Sequence, residues 1–382
     1  MKVFRTDCKE WQGYKPCSKQ KQGVIEGCDQ CRFYAPIQGN ILIIEAGGLG
    51  SALRTSIVMK EIKAQRPNTH IHWLTTEQSV ELAGNIPSVD RVYATTWENL
   101  VILGAQTYDL VINFESNPLY LAFVSKLPFE KRGFTMNGFG NLVMASPSAE
   151  EFLWMQTNDH FRRRENEKPM QQILLETVGL EWKEQRYDLV TKPEDDEWVR
   201  AFLMAEGVAE TDMLIGFNIG SSLRHSAKRW PPQYFYELAK LCRERHPQWK
   251  PILLAGPEDI DAYNVLIELS LKEGVVFSGY WNTMSQFISL VNWIPIVVSA
   301  DTFGLHVALG LGKKAISLWG PQPKEETYHY GSGVKVSLDL DCSPCFAGKL
   351  EKCSNLNTLQ CMREIAVKTV FDILEQELLQ GE

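Results

Sequence analysis

Polar residues that follow a predicted strand form the first candidate site. The apolar residues 294–298 predict a buried strand, and a helical pattern begins soon after it. Asp301, Thr302, Gly304 and His306 lie at the start of that pattern. In an open parallel sheet, ligands bind beyond the carboxyl ends of the strands, where the N–H groups of a helix start favour phosphate. The alternative is an N-capping Asp or Thr beside a buried His.

Three more predicted strands, residues 41–44, 213–219 and 251–255, end in turns that carry glycine, hydroxyl or charged side chains. Glycines let a backbone approach an anion closely, although tight turns need glycine anyway. Cationic side chains and hydroxyls after a strand suit a diphosphate, and a carboxylate suits either ribose hydroxyls or a helix N-terminus. The candidates for a nucleotide site in these turns are Gly50, Ser51, Ser221, Ser222, Arg224, Lys228 and Glu258.

Eight of the nine cysteines form two sets of four at opposite ends of the chain. Each set contains a Cys-x2-Cys pair, whose thiolates can share one metal ion, and four thiolates suffice for a tetrahedral site. In a reducing cytosol this usage favours structural zinc or an iron–sulfur cluster over disulfides. Since the outer spacings match no standard motif, reduced thiols without metal are the alternative. The candidate metal ligands are Cys8, Cys17, Cys28 and Cys31 in the first set, and Cys342, Cys345, Cys353 and Cys361 in the second.

The composition predicts a globular protein with two domains. The chain has 382 residues, of which 44% are hydrophobic and 23% are charged. Its net charge of −8 argues against general nucleic-acid binding. The first residues contain no apolar core of signal-peptide length, and no run approaches the roughly 20 apolar residues of a membrane span. We therefore expect a cytoplasmic protein without a transmembrane segment.

A short basic segment, residues 161–164 with Lys168, has two interpretations. It could contact an anionic acceptor or the inner face of the cytoplasmic membrane. Because Glu165 and Glu167 are interleaved with it, a solvated helix end is the simpler interpretation.

From residue 37 onward, strand and helix patterns alternate, which predicts an α/β chain with doubly wound parallel sheets. A charged stretch with a proline, residues 187–197, separates two runs of strand–helix units and marks the approach to an inter-domain hinge. The predicted units are a Cys-rich N-terminal extension (residues 1–36), a first Rossmann-like domain (37–190) and a second one (191–361).

The order of these segments resembles glycosyltransferase family 9, the ADP-heptose:lipopolysaccharide heptosyltransferase family. Residues 41–51 look like the family's first strand and Gly-rich loop, and the tail from Cys342 to Cys361 is similar to that of many members. Residues 1–36 look like an addition found in a subset. The matching segments of the second half, in order, are Asn-Ile-Gly-Ser-Ser (218–222), Lys-Arg-Trp-Pro (228–231), Leu-Ala-Gly-Pro-Glu-Asp (254–259), residues 301–306 and Leu-Trp-Gly-Pro (318–321).

The resemblance implies a GT-B fold, in which two Rossmann-like domains face each other across a cleft. Residues 362–382 would form a helix that crosses back to the first domain. The implied reaction is the inverting transfer of a heptose-like sugar from a nucleotide diphosphate donor, typically ADP-heptose. The acceptor would be the lipopolysaccharide core or another glycan or glycolipid, and transfer would need no metal.

The resemblance also implies roles for the residues of the second domain. Lys228 would neutralise the leaving diphosphate as part of the catalytic machinery, and Asp301 would hold hydroxyls of the donor sugar. Glu258 would contact the ribose. The helix start that would bind phosphate carries Thr302, Gly304 and His306.

One departure from the family pattern affects the catalytic base. The family's Gly-rich loop usually ends in Gly-Asp, with that Asp as the base, whereas here it ends in Gly50-Ser51. A serine cannot serve as that base unaided. Glu45, on the same loop, is the first candidate to replace it, and Glu115, after the predicted strand 108–114, is the second. As alternatives, Glu45 is a solvated loop residue or pairs with Arg54.

A second departure is Phe303, where the family often has Gly, and it bears on which donor binds. Two hypotheses follow from these departures. The first is an inverting glycosyltransferase, which the phosphate-side motifs favour. The second is a catalytically degenerate GT-B protein that binds a sugar nucleotide and uses its cysteines for assembly or redox sensing, which the missing Asp favours. A sugar-nucleotide epimerase of GT-B fold has no distinguishing residue in this sequence.

Overall fold

The computed structural model describes residues 3–11, 13, 15–221, 223–270, 274–345, 353 and 358–379, with the backbone alone at 223–225 and 270. The N-terminal extension contains one short helix, α1 (Ser18–Lys21), and an isolated bridge between Cys8 and Pro36 joins its two ends. No described residue before Ile41 is buried. The extension therefore has no hydrophobic core of its own.

Six strands form the first sheet: β1 (Gly39–Ile44), β2 (Thr69–Thr75), β3 (Arg91–Ala94), β4 (Leu110–Asn113), β5 (Lys131–Met136) and β6 (Leu142–Met144). Their spatial order is β3-β2-β1-β4-β5-β6, and each pair is parallel except β5 with β6. Residues Ile41–Ile44 are buried without the alternation of a half-exposed strand, as a central parallel strand requires. Because β1 and β4 are neighbours, the residues that follow them meet at one edge of the sheet.

Helices cover both faces of this sheet. One face packs on α2 (Leu49–Gln65) and the other on α4 (Trp97–Gly104) and α5 (Pro118–Lys126). The remaining helices of the first domain are α3 (Glu77–Val80), α6 (Glu150–Thr157) and α7 (Met170–Thr177).

Six strands also form the second sheet: β7 (Met213–Asn218), β8 (Trp249–Leu254), β9 (Val276–Phe277), β10 (Ile296–Ala300), β11 (Lys314–Trp319) and β12 (Gly333–Ser337). They are all parallel, in the order β12-β11-β10-β7-β8-β9. Thus β7 and β10 are the two central strands, where the strand order reverses. The helices of this half are α8 (Pro193–Ala205), α9 (Pro232–Arg245), α10 (Ile260–Ser270), α11 (Met284–Asn292), α12 (Phe303–Gly310), α13 (Gln360–Arg363) and α14 (Val367–Leu379).

The predicted strands are present with shifted ends. The prediction of a strand over residues 294–298 corresponds to β10, which begins at Ile296, and the prediction over 108–114 corresponds to β4, which is shorter at both ends. Two helices begin at residues typical of helix starts, since α9 begins at Pro232 and α2 begins directly after Gly48. No helix in the described part of the chain is long and apolar enough to span a membrane.

The last helix packs on the second domain. Phe371 and Leu374 of α14 are buried against α9 and the second sheet. His246 on α9 forms an ion pair with Glu375 at 2.6 Å, and the Trp230 indole donates to the Ile365 carbonyl at 3.1 Å. For the described residues up to Leu379, this corrects the prediction that residues 362–382 cross back to the first domain; residues 380–382 lie outside the described residues. The buried residues of α14, Val370, Phe371 and Leu374, all pack within the second domain.

We predict that Leu374→Ala lowers the free energy of unfolding by about 2–5 kcal/mol, because it leaves a cavity between α14 and α9. Leu379→Ala, at the exposed end of the same helix, removes the same atoms and should cost less than about 0.5 kcal/mol. Chemical denaturation of both variants measures the difference. Equal losses would show that α14 does not pack as described.

Candidate functional site

Two glutamates meet where β1 and β4 end. Glu45 follows β1, is only 6% exposed, and accepts hydrogen bonds from the Gly47 N–H at 3.0 Å and the Thr55 hydroxyl at 3.4 Å. Glu115 follows β4 and accepts from the Ala46 N–H at 2.7 Å. Because these bonds attach both carboxylates to one loop, the two side chains form an acid pair, Glu45–Glu115. Glu115 is the more exposed member.

The acid pair binds protons tightly. Burial raises the pKa of Glu45 to about 8, with a further contribution from the nearby charge of Glu115. Burial also raises the pKa of Glu115. Because a charge on one carboxylate disfavours a second charge nearby, the pair keeps a proton to a higher pH than an isolated Glu would. The burial of Glu45 excludes the alternative of a solvated loop residue.

Asn113, which the sequence analysis missed, fixes the position of Glu115. Its side-chain carbonyl accepts from the Glu115 N–H at 3.1 Å, and its amide donates to the carbonyls of Glu115 at 3.1 Å and Phe134 at 3.0 Å. In the sequence, Asn113 is simply a polar residue at the end of an apolar run, and such a residue gives no sign of a functional role. Its role becomes visible only when β4 and β5 are paired.

The starts of α2 and α12 approach each other across the domain boundary. A Cβ atom on Gly50 would lie 2.9 Å from Cδ2 of His306, a distance that real side chains essentially never show. His306 is buried, and its Nδ1 atom lies 3.1 Å from the Tyr187 hydroxyl. Gln171 donates to that hydroxyl at 2.9 Å. The predicted site residues Gly50 and His306 are therefore brought into contact from opposite domains.

Asp301 lies between a lysine and a histidine. The Lys228 ammonium is 2.8 Å from Oδ2 of Asp301, and Nε2 of His306 is 3.5 Å from Oδ1. Burial opposes ionisation of Asp301, but the Lys228 charge and His306 hold the pKa of Asp301 well below its usual range. Burial lowers the pKa of His306, against the effect of Asp301. These three predicted residues therefore form one charged cluster at the start of α12.

The turn that precedes α12 is built from hydroxyl and amide bonds. Asn218, at the end of β7, donates to the hydroxyls of Thr302 at 2.6 Å and Ser299 at 2.8 Å. A Cβ atom on Gly304 would lie 2.6 Å from Cγ of Asn218, so this position requires glycine. Phe303, the unexpected residue, stacks on Phe287 with ring centroids 5.8 Å apart. The helix start is thus retained, and its first N–H groups have no partner within the helix.

Asp259 organises the loops that follow β7 and β8, and the sequence analysis missed it. It accepts from the N–H groups of Ser221 at 3.2 Å and Gly256 at 2.9 Å, and pairs with Arg229 at 2.9 Å. Arg229 also donates to the Ser221 carbonyl. Burial raises the pKa of Asp259. Its neighbour Glu258, the predicted ribose contact, is exposed.

The remaining predicted residues of these loops are described only in part. Ser222 lies outside the described residues, and the Arg224 side chain is likewise not described. Their assignment to the donor site stays a prediction.

Arg54 is a cation of the site that the sequence analysis considered only as a partner for Glu45. It donates to the Ser51 hydroxyl at 3.2 Å, and its buried Nε atom has no protein partner. Its charge acts on Glu45 in the first domain and on Asp301 and His306 in the second. Arg54 therefore lies between the acid pair and the charged cluster at α12.

The basic segment joins the two domains. Arg162 forms a two-point ion pair with the buried Glu326, with contacts of 2.6 and 2.8 Å. Arg163 pairs with Asp159 at 2.7 Å, and Arg164 donates to the Asp341 carbonyl at 2.9 Å. Protein groups thus engage all three arginines, an outcome that neither interpretation of the segment foresaw.

The cysteines form no disulfides. In the second set, burial and the neighbouring thiols of Cys345, Cys353 and Cys342 raise the pKa of Cys361 to about 11, so these four residues are close together. Within the described ranges, no group of three or more His, Cys, Asp or Glu side chains is arranged to hold a single metal ion. Zinc or iron–sulfur binding therefore stays a prediction.

Solved structures confirm the class of fold. The ADP-heptose heptosyltransferase II of E. coli superimposes with a TM-score of 0.66 at 17% identity, covering 90% of this chain and 99% of that one. A family 9 glycosyltransferase from Veillonella parvula gives 0.69 at 19% identity, covering 90% and 98%. With two parallel-dominated sheets in matching arrangement, the chain has the GT-B glycosyltransferase fold.

The sequence defines the family within that class. The sequence model of glycosyltransferase family 9 (heptosyltransferase) matches residues 102–355, more than half of the chain. Lipooligosaccharide heptosyltransferase 2 of Haemophilus influenzae is 23% identical over 318 residues, which cover 75% of this chain and 85% of that protein. The chain belongs to glycosyltransferase family 9. The predicted family, fold class and enzyme class are confirmed.

The acid pair should make stability depend on pH. Folding raises the pKa of Glu45 from its ordinary 4.5 to about 8, so the folded chain binds its proton more tightly than the unfolded chain. The free energy of unfolding therefore falls as the pH rises through this range. Glu45→Gln, which cannot ionise, should be more stable than the parent at pH 8, by on the order of 1 kcal/mol or more, and should lose that advantage at pH 5.

Chemical denaturation at both pH values measures this difference. Glu77→Gln, an exposed substitution in the same domain, is the control and should leave the pH dependence unchanged. Parallel stability curves for Glu45→Gln and the parent would contradict the proton binding inferred for the pair.

Proposed function

We propose that this glycosyltransferase transfers a heptose-like sugar, with inversion, from ADP-heptose to a lipopolysaccharide-core or other glycan or glycolipid acceptor. The observation that supports this most is the meeting of the acid pair, Arg54 and the Lys228–Asp301 cluster between two helix starts. Such a site offers a base on one side and cations with helix N–H groups on the other. The names of the relatives, which include ADP-heptose and lipopolysaccharide heptosyltransferases, support the choice of donor and acceptor class.

The second domain supplies the groups for the diphosphate. Lys228 donates to the backbone carbonyl and the carboxylate of Asp301 and keeps its third donor hydrogen for a phosphate oxygen. The N–H groups at Gly304 and its neighbours add a positive helix end. Arg54 would reach the same phosphates from the first domain, because its guanidinium combines an unpartnered Nε atom with proximity to Asp301.

The first domain supplies the base. The acceptor oxygen forms a bond to the anomeric carbon while the bond from that carbon to the diphosphate oxygen breaks, and the acceptor proton passes to the ionised carboxylate of the acid pair. Glu115 is the more exposed member and would take the proton from the acceptor. Glu45 would carry the proton that the pair already holds, and its bond from the Gly47 N–H would fix the loop. The charge that develops on the nucleotide diphosphate is stabilised by Lys228 and the start of α12.

Lys228→Ala should weaken ADP binding at least about tenfold, because it removes a charge-assisted contact worth about 1.5–3 kcal/mol. Calorimetric titration with ADP, UDP and GDP measures the affinity and the choice of base. Lys240→Ala, an exposed lysine on α9, is the matched control and should bind as the parent does. Unchanged binding in Lys228→Ala would remove this residue from the donor site.

Glu115→Gln should lower kcat by about 10²–10⁴-fold, since it removes the carboxylate that takes the acceptor proton. Glu45→Gln should lower kcat less, since it leaves the Glu115 carboxylate in place. ADP binding should stay within about twofold of the parent, because neither carboxylate faces the phosphate groups. A coupled assay of ADP release with a heptose-deficient lipopolysaccharide core measures turnover, with Glu77→Gln as control. Full activity in both variants would show that the base lies elsewhere.

The second hypothesis, a sugar-nucleotide binder without transferase activity, has one observation in its favour. Ser51 stands where the family usually has its catalytic Asp, and its hydroxyl accepts from Arg54. This hypothesis predicts tight binding of ADP-heptose that depends on Lys228, with no release of ADP in the presence of glycan acceptors.

A further inference from the structure

The four cysteines of the first set surround one cavity. This cavity, partly open to solvent, is lined by all four thiol-bearing residues, Cys8, Cys17, Cys28 and Cys31, although up to 23 positions separate them in the sequence. Its wall also carries two cations, Arg5 and Lys19, one carboxylate, Glu10, and three aromatic side chains.

The extension that contains this cavity lacks the usual source of stability. No described residue before Ile41 is buried, yet the segment is ordered by the bridge between Cys8 and Pro36 and by hydrogen bonds such as Ile37 N–H to Asp7 O at 2.7 Å. Segments too small to bury a core are usually stabilised by disulfides or by a metal centre. The four thiols form no disulfide. Of these two means of stabilising a small segment, a metal centre remains.

The arrangement of the thiols selects the kind of centre. No three of them are placed to bind one ion, as tetrahedral zinc would require. A cubane [4Fe–4S] cluster instead takes one thiolate on each of four irons, so its ligands surround a cavity. Such a cluster with four thiolates carries net negative charge, and Arg5 and Lys19 line the same cavity. Both cations are held in place, Arg5 over the Tyr34 ring and Lys19 over the Phe33 ring.

We propose that Cys8, Cys17, Cys28 and Cys31 bind a [4Fe–4S] cluster, each thiol releasing its proton as its sulfur binds one iron. The extension attaches to the amino-terminal edge of the first sheet, through Lys9 to the Pro67 carbonyl at 2.9 Å and through Arg91, at the start of β3, to the Trp11 carbonyl at 3.2 Å. The acid pair lies beyond the carboxyl ends of the strands. The cluster therefore stabilises the extension or senses redox conditions, and it takes no part in sugar transfer.

The test is the metal content of the full chain, produced together with iron–sulfur assembly proteins and purified without oxygen. We expect about four iron and four sulfide per chain, broad visible absorption that bleaches with dithionite, and an electron paramagnetic resonance signal of the reduced cluster. The double variant Cys28→Ser, Cys31→Ser should lose all three. Cys242→Ala, which removes a buried thiol of α9, should keep them.

A second double variant, Cys342→Ser with Cys345→Ser, separates this site from the second set and should retain the cluster. Thiol alkylation of the unmutated protein gives a measure that does not depend on how the variants fold. The four thiols of the first set should be protected until an iron chelator and an oxidant are added. Zinc without sulfide, iron that depends on the second set alone, or four thiols that react at once would each overturn the proposal.

Discussion

The contact between the starts of α2 and α12 is the constraint on which the site depends. These two helices follow the central strands of different sheets, and they approach so closely that Gly50 leaves no room for a side chain beside His306. The bond from His306 to Tyr187, and from there to Gln171 on α7, fixes this approach on the side of the first domain. Two positive helix ends that point toward one region would repel each other without an anion between them. Asp301 and the acid pair supply negative charge there, and a bound diphosphate would add more.

In the proposed mechanism, the acid pair takes the place of a residue that the family usually has. Serine at position 51 removes the carboxylate that the family usually places on the Gly-rich loop, but the same loop carries Glu45 at its beginning and lies beside Glu115 from the neighbouring strand end. Burial of two acids at one site costs free energy, and sharing one proton reduces that cost. Arg54, whose charge acts on both domains, connects the pair with the donor side.

Contacts outside the site also hold the two domains together. The Arg162–Glu326 ion pair is bidentate and largely hidden from solvent. The hydrophobic core on the α2 side of the first sheet continues into the α11 and α12 side of the second. Asn85 adds a buried bond to Ser285 at 3.1 Å. At the far edge of the first sheet, the Cys-rich extension makes polar contacts through Lys9 and Arg91 with the segments around β2 and β3. The stability of the extension is therefore separate from the contacts between the two domains.

The amino-acid sequence determined the strands, the glycine turns and the order of motifs, because hydrophobic runs and turn residues are local features of the chain. It also placed Asp301, Gly304 and His306 after one strand and Lys228 in the turn after another, and the structure brings the two segments together. Tertiary structure decided what depends on distant segments: the pairing of Glu45 with Glu115 across 70 positions, the support of both loops by Asn113 and Asp259, and the use of Arg162 as an inter-domain contact. It also decided that α14 remains on the second domain, since an amphipathic stripe shows that a helix packs but does not show against which surface. Burial and proximity to other charges set the charge of each of these groups, and the local sequence determines neither of them.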